Sequence, residues 1–146
     1  WNPQMSTEDS AEQVNNLPKS IKRIIVPCGS GAITTGVAIG LIVNGRSDVE
    51  IVAVKVSTAF GGLVEMTEKI EKSLSKKGIS EYQIPKITVI DPTSKYGKKQ
   101  VEVLPDGTEL DYTYSAKAYR WMMDNNNDFD LLWISGRRQG LKVFGI

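Results

Sequence analysis

Apolar positions along the chain fall into short β-branched runs separated by longer stretches of helical period. Residues 21–26 form a short apolar run interrupted by two basic residues and read as a strand, which Pro27-Cys28-Gly29-Ser30-Gly31 breaks. Residues 33–43 are rich in small and apolar side chains, which predicts a buried helix ended by Asn44-Gly45. Residues 49–56 are continuously β-branched, as expected of a parallel strand covered on both faces. Gly61-Gly62 opens a helix over 63–77, with Leu63, Met66, Ile70 and Leu74 on one face and Gly78 as its cap. Residues 86–90 and 131–134 read as further strands, and 114–123 as a helix. Ahead of all this, Ser6 with Asp9 three residues on predicts a polar helix to about residue 16, stopped by Leu17-Pro18. Residues 100–104 and 108–110, joined by Pro105-Asp106-Gly107, read as a small β-hairpin.

This alternation predicts an α/β fold. A three-layer parallel sheet, with right-handed crossovers and flanking helices, carries a small inserted hairpin. The expected division is an N-terminal helix and lead-in over residues 1–20, then one α/β domain over 21–146.

Composition narrows the chemistry. The 146 residues suit one compact domain or one lobe of a larger protein. With a net charge of +1, no bulk electrostatic footprint points to nucleic acid or an anionic membrane. Lys95, Lys98 and Lys99, and Arg137 with Arg138, form local basic clusters that read first as solvated surface. No apolar run approaches the roughly 20 residues of a membrane span, since the longest, 37–43, is interrupted by Gly40. Histidine is absent, which removes His-based catalytic dyads and triads and imidazole zinc sites; no metal site is expected. The single cysteine, Cys28, rules out an intrachain disulfide and fits a reducing, cytoplasmic setting. It reads as a small buried residue, and Trp121, Met122 and Met123 as core. The start at Trp1 reads as that of a chain cut from something longer or numbered from inside a larger protein, and its polar, acidic opening does not read as a signal peptide.

Candidate chemistry concentrates in Gly29-Ser30-Gly31-Ala32-Ile33-Thr34-Thr35-Gly36, a glycine loop between a strand and a helix. Glycines let backbone N–H groups approach a phosphate, and the helix adds its N-terminal partial charge. Ser30, Thr34 and Thr35 add hydroxyl donors. A turn that binds nothing is the plain alternative. A dinucleotide fingerprint is disfavoured: Gly29 and Gly31 fit it, but Thr34 holds the third glycine position, and Lys55 and Ser57 stand where an acid is required. A Walker loop is disfavoured because Val37, not lysine, follows Gly36.

The run Ile24-Ile25-Val26-Pro27-Cys28 through Gly36 resembles the strand and phosphate loop of fold type II pyridoxal-phosphate (PLP) enzymes, the tryptophan synthase β-like group, which read roughly V-V-P-x-G-S-G-G-T-x-x-G. Two further runs resemble the aminocyclopropane-carboxylate deaminase and D-cysteine desulfhydrase branch. Leu110-Asp111-Tyr112-Thr113-Tyr114-Ser115-Ala116-Lys117-Ala118 resembles L-D-P-V-Y-T-G-K-A, and Leu132-Trp133-Ile134-Ser135-Gly136-Arg137-Arg138-Gln139-Gly140-Leu141 resembles F-I-H-T-G-G-x-P-G-L. The resemblance implies the C-terminal part of a PLP-dependent lyase or deaminase acting on a small amino acid, in a homo-oligomer. It places Gly29, Ser30, Gly31, Ala32, Ile33 and Thr34 on the cofactor phosphate, Tyr114 near cofactor and substrate, and Ser135 near the pyridine nitrogen. Ala32 departs from a common glycine, Tyr112 from a proline, and Arg137 and Arg138 from the second glycine and its neighbour. The two arginines suit either an unusual anionic substrate or a degenerate site.

PLP chemistry needs a Schiff-base lysine. In the resembled family it precedes the glycine loop. Lys22, Lys55 and Lys117 match no such motif. The expectation is therefore that the lysine comes from an N-terminal remainder of the enzyme or a companion chain. The alternatives are a non-catalytic binding or assembly subunit of the same fold, or an unrelated α/β module that binds a phosphate ligand.

Overall fold

The computed structural model describes residues 3–91, 104–107, 110, 115–125, 127–134 and 140–144. Five strands, β1 (Arg23–Cys28), β2 (Glu50–Lys55), β3 (Ile87–Ile90), β4 (Asp130–Ile134) and β5 (Gly140–Phe144), form one sheet in the order β3-β2-β1-β4-β5. The first four are mutually parallel, with Arg23 opposite Glu50 and Asp130, and Ile51 opposite Ile87. Among the described residues four α-helices accompany them: α1 (Pro3–Gln13), α2 (Ala32–Val43), α3 (Leu63–Lys76) and α4 (Ser115–Asp124).

Side chains alternate across a strand, so each inner strand feeds two cores. Ile24, Val26, Ile51, Leu131 and Trp133 pack with Val37, Leu41, Ile70 and Leu74 on the α2–α3 side. Ile25, Val52, Val54, Leu132 and Ile134 pack with Ala116, Ala118, Tyr119 and Met122 on the α4 side. The three-layer α/β arrangement is therefore present. Helix α2 is apolar nearly all round because it is enclosed nearly all round, with residues 34–42 buried. Its Gly36 and Gly40 carry the crossing with α1. A Cβ at Gly36 would sit 2.2 Å from the Thr7 carbonyl oxygen, and one at Gly40 would sit 2.6 Å from that of Ala11.

Helices α2 and α3 end alike. Gly45 N–H donates to Ile42 O and Arg46 N–H to Leu41 O; Gly78 N–H donates to Ser75 O and Ile79 N–H to Leu74 O. Both are Schellman closures, with Gly45 at φ 69° and Gly78 at φ 74°.

Several boundaries differ from the pattern. Helix α1 begins at Pro3, whose missing N–H is harmless in a first turn, rather than near Ser6. Strand β1 runs on through Pro27 and Cys28. Pro27 is tolerated because β4 pairs only with Arg23, Ile24 and Ile25. Leu63 is 41% exposed rather than on the buried face of α3, which Met66, Ile70 and Leu74 make up. Met123 is likewise exposed, while Met122 is fully buried. Strand β5 was not expected. It pairs antiparallel with β4, from Ile134 opposite Gly140 to Asp130 opposite Phe144, so the sheet has one antiparallel edge. Such a return needs no crossover helix, only a turn. The expected hairpin lies largely outside the described residues; its turn is present, with Gly107 N–H donating to Leu104 O at 2.9 Å and Gly107 at φ 87°.

Candidate functional site

The chain steps outward from β1 to β2 to β3, then returns to the opposite side of β1 with β4. The connections leaving β1 and β4 therefore diverge, and open α/β sheets bind ligands outside the carboxyl ends of their strands at such a switch point. Gly29-Ser30-Gly31 leaves β1 there.

The loop is shorter than the glycine pattern suggested. Helix α2 begins at Ala32, so Ala32 to Gly36 are its first residues, and Gly36 serves the α1 crossing instead of the turn. Gly31 is the N-cap, at φ 96°, and has no side chain to cap the helix, so that among the described residues only the long contact of Ala32 N–H to Ser30 Oγ engages a first-turn amide. An uncapped α-helix presents first-turn N–H groups with no intrahelical acceptor, which is the arrangement that accepts an anion. A Cβ at Gly31 would adopt a left-handed conformation and meet Phe60 Cδ1 at 3.0 Å and Met66 Cε at 3.3 Å. Around it, Ser30 Oγ accepts from Ala32 N–H at 3.4 Å, and Thr35 donates both N–H (2.9 Å) and hydroxyl (2.7 Å) to Gly31 O.

Ile33 stands where the resembled pattern has threonine, and its half-buried side chain packs on the α2–α3 core. Thr34, next in the chain, is fully buried and its hydroxyl has no hydrogen-bond partner among the described residues. A buried unsatisfied hydroxyl costs about 1–3 kcal/mol, so this one is a candidate ligand donor. Beside it lies the Cys28 thiol. The Thr34 hydroxyl pulls that thiol toward its ionised form without making a hydrogen bond of normal geometry to it. Burial raises the thiol above its ordinary range, and this outweighs the lowering by Thr34 and by Lys55, which closes β2 in register with Cys28.

On the β2 side of the loop lies a small open depression lined by Ser30, Gly31, Thr35, Phe60, Gly62 and Glu65. Two helix N-termini meet here, because Gly62 is the N-cap of α3, at φ 101° and again without a side-chain cap. Glu65, in the first turn of α3, folds its carboxylate over Gly61 and pairs with Lys69 at 3.0 Å. The depression thus brings the two N-cap glycines together with a half-exposed carboxylate whose charge Lys69 offsets. It is not the crevice between β1 and β4 itself.

Of the residues expected at the site, Gly29, Ser30, Gly31, Ala32, Ile33 and Thr34 are brought together at the start of α2. Tyr114 and Ser135 lie outside the described residues, as do Arg137, Arg138, Lys95, Lys98 and Lys99. Among the lysines weighed, Lys22 is exposed ahead of β1, Lys55 pairs with Asp91 at 3.9 Å, and Lys117 is buried in the first turn of α4. Phe60, Glu65 and Thr7 carry no sequence signal for the site. Gly61-Gly62 reads in the sequence as a helix start, and only its spatial convergence with Gly31 gives it a place at the site. No cluster of three or more potential metal ligands, and no helix long and apolar enough to cross a membrane, occurs among the described residues.

No protein-family model matches this chain, and no curated protein matches it. Its fold does match a solved structure, the crystal structure of an ACC deaminase homologue, with a TM-score of 0.63 and 21% sequence identity. The match covers 89% of this chain but 43% of that one, so this chain spans less than half the length of its neighbour. By architecture, then, this is an α/β chain with the fold of part of an ACC deaminase homologue.

Proposed function

We propose that this chain is the C-terminal, phosphate-gripping part of a PLP-dependent lyase or deaminase-like enzyme acting on a small amino acid. The observation that carries this reading is the uncapped start of α2 at the switch point, with the buried Thr34 hydroxyl beside it. The fold shared with an ACC deaminase homologue supports it. The first-turn amides of α2 and the Thr34 hydroxyl would hold the phosphate, with Ser30 and Thr35 shaping the loop around it. Gly31 lets that backbone come close. When bound, the cofactor supplies an electron sink for charge developing on the substrate. Tyr114 is proposed to lie near the substrate and Ser135 near the pyridine nitrogen. The covalently attached lysine is proposed to come from a further part of the enzyme or a companion chain.

Comparing pyridoxal phosphate with unphosphorylated pyridoxal tests the grip. The chain should bind the phosphorylated form at least about tenfold more tightly, the worth of one charge-assisted hydrogen bond. Equal affinity for both would sink the reading. A second reading, a non-catalytic binding subunit, is favoured by the lack of a lysine on a matching motif and by Glu65 at the depression. It predicts phosphate-dependent binding but no visible, borohydride-bleached band, even with the remaining part of the enzyme added.

A further inference from the structure

We infer that Thr7 of α1 is a positioning residue for the glycine loop, setting the aim of the amides at the start of α2. This rests on the proposed phosphate reading and extends it to a helix outside the glycine motif. Thr7 Oγ1 donates to the carbonyl oxygen of Ala32, the first residue of α2, at 3.0 Å. That carbonyl already serves the helix's own i to i+4 ladder, so the second donor is not needed to satisfy it. What it does is orient a rigid unit. The Ala32 carbonyl and the Ile33 N–H belong to one planar peptide, so holding the oxygen fixes the direction of the N–H. In a right-handed helix that N–H points back toward the N-terminus, where the ligand would lie.

The donor is itself held in place. Gly36, one turn along, brings the α2 backbone against the Thr7 carbonyl and Ser10, and Gly40 does the same at Ala11 and Val14. Gly31 is also covered by Phe60, in the segment ahead of α3, and by Met66 of α3. The loop is held between α1 and the start of α3, and Thr7 makes a polar contact to it from the α1 side. Pre-organised donors bind an anion without paying to order themselves.

The test uses the whole chain and pyridoxamine 5′-phosphate, whose amine cannot condense with surface lysines. Affinity, the amide shifts of Ile33 and Thr34 and the melting temperature are measured for wild type, Thr7→Val and Thr7→Ser. Thr7→Val should weaken binding about fivefold, the scale of one net hydrogen bond, and should shrink the ligand-induced shifts of Ile33. Thr7→Ser keeps the hydroxyl but loses a methyl group, so it should bind like wild type even where its melting temperature falls. Unchanged affinity in Thr7→Val overturns the inference. So does affinity that simply tracks melting temperature through both variants. A wild-type chain that binds no phosphorylated probe overturns the phosphate reading first, before any substitution is made.

Discussion

The two ends of the sheet solve opposite problems. At the amino end, Arg23 of β1 and Asp130 of β4 meet in a forked ion pair, Nε to Oδ1 at 2.9 Å and an Nη to Oδ2 at 2.6 Å. The same Nη donates to Asn125 O, Asn127 N–H donates to Asp130, and the guanidinium lies 5.2 Å from the centre of the Trp121 ring. Asp130 is fully buried, and both of its carboxylate oxygens accept hydrogen bonds. At the carboxyl end, two helices start on glycines without side-chain caps, and the buried Thr34 hydroxyl has no partner among the described residues. Polar groups are spent on stability at one end and held back at the other. Native interiors pair nearly all their buried polar groups, so the exceptions mark places where the fold has another use for them.

The largest effect should come from the amino end. Asp130→Ala leaves the Arg23 guanidinium, whose side chain is only 13% exposed, without its buried counter-charge. Breaking a buried pair in this way costs about 3–5 kcal/mol, read as a lower urea midpoint, with phosphate binding preserved in the fraction that stays folded. A loss below about 1 kcal/mol, the range of surface pairs, would mean that Arg23 swings into solvent and that the amino end is no more committed to stability than the carboxyl end.

Next comes Gly36→Ala. Its Cβ would meet backbone atoms of α1, which cannot turn aside as a side chain can. Overpacking of this kind costs about 1–3 kcal/mol. Because α1 also holds Ala32 through Thr7, this variant should lose stability and phosphate affinity together. A loss of stability alone would show that the crossing and the loop are independent.

Thr34→Val reverses the sign. An apolar isostere removes an unsatisfied hydroxyl at nearly constant shape, so stability should hold or rise by about 1 kcal/mol. Binding of a phosphorylated ligand should fall about five- to tenfold over the same range of hydrogen-bond energy. A clear loss of stability would show that the hydroxyl serves the fold, and the contrast between the two ends would fail.

Much of the frame was legible in the sequence. Asn44-Gly45 and Gly78 announced helix ends because a left-handed closing residue is commonly glycine, and both proved to be Schellman glycines. The β-branched runs announced the inner strands because burial on both faces leaves little choice of residue. Strand β5 was not legible, since five residues at a sheet edge carry little pattern. The site was half legible. Glycine spacing located the start of α2, yet Gly36 belonged to a helix crossing, a role that one-dimensional spacing cannot tell from a loop glycine. Thr7, Phe60 and Glu65 reach the site only through packing between helices far apart in sequence, and no local motif signals that.

Cys28 offers the finest test of the carboxyl end, because its effect vanishes at neutral pH. Burial holds the thiol above its ordinary range, against the smaller opposing pulls of Thr34 and Lys55. Below that range the folded and unfolded chains both keep the proton, and pH does not matter. Above roughly pH 9 the unfolded thiol ionises first, so the unfolded state binds fewer protons and folding stability falls as pH rises. The slope can reach about 1.4 kcal/mol per pH unit and ends once the folded thiol ionises too. Cys28→Ala lacks this component. The urea midpoint of the wild type should therefore fall relative to that of Cys28→Ala between neutral and alkaline pH, whatever constant offset the lost sulfur introduces. A constant offset would mean that Lys55 and Thr34 cancel the effect of burial. The thiol would then ionise as readily in the fold as in the open chain, and Cys28 would join Thr34 as a group held ready at the glycine loop instead of a quiet part of the core.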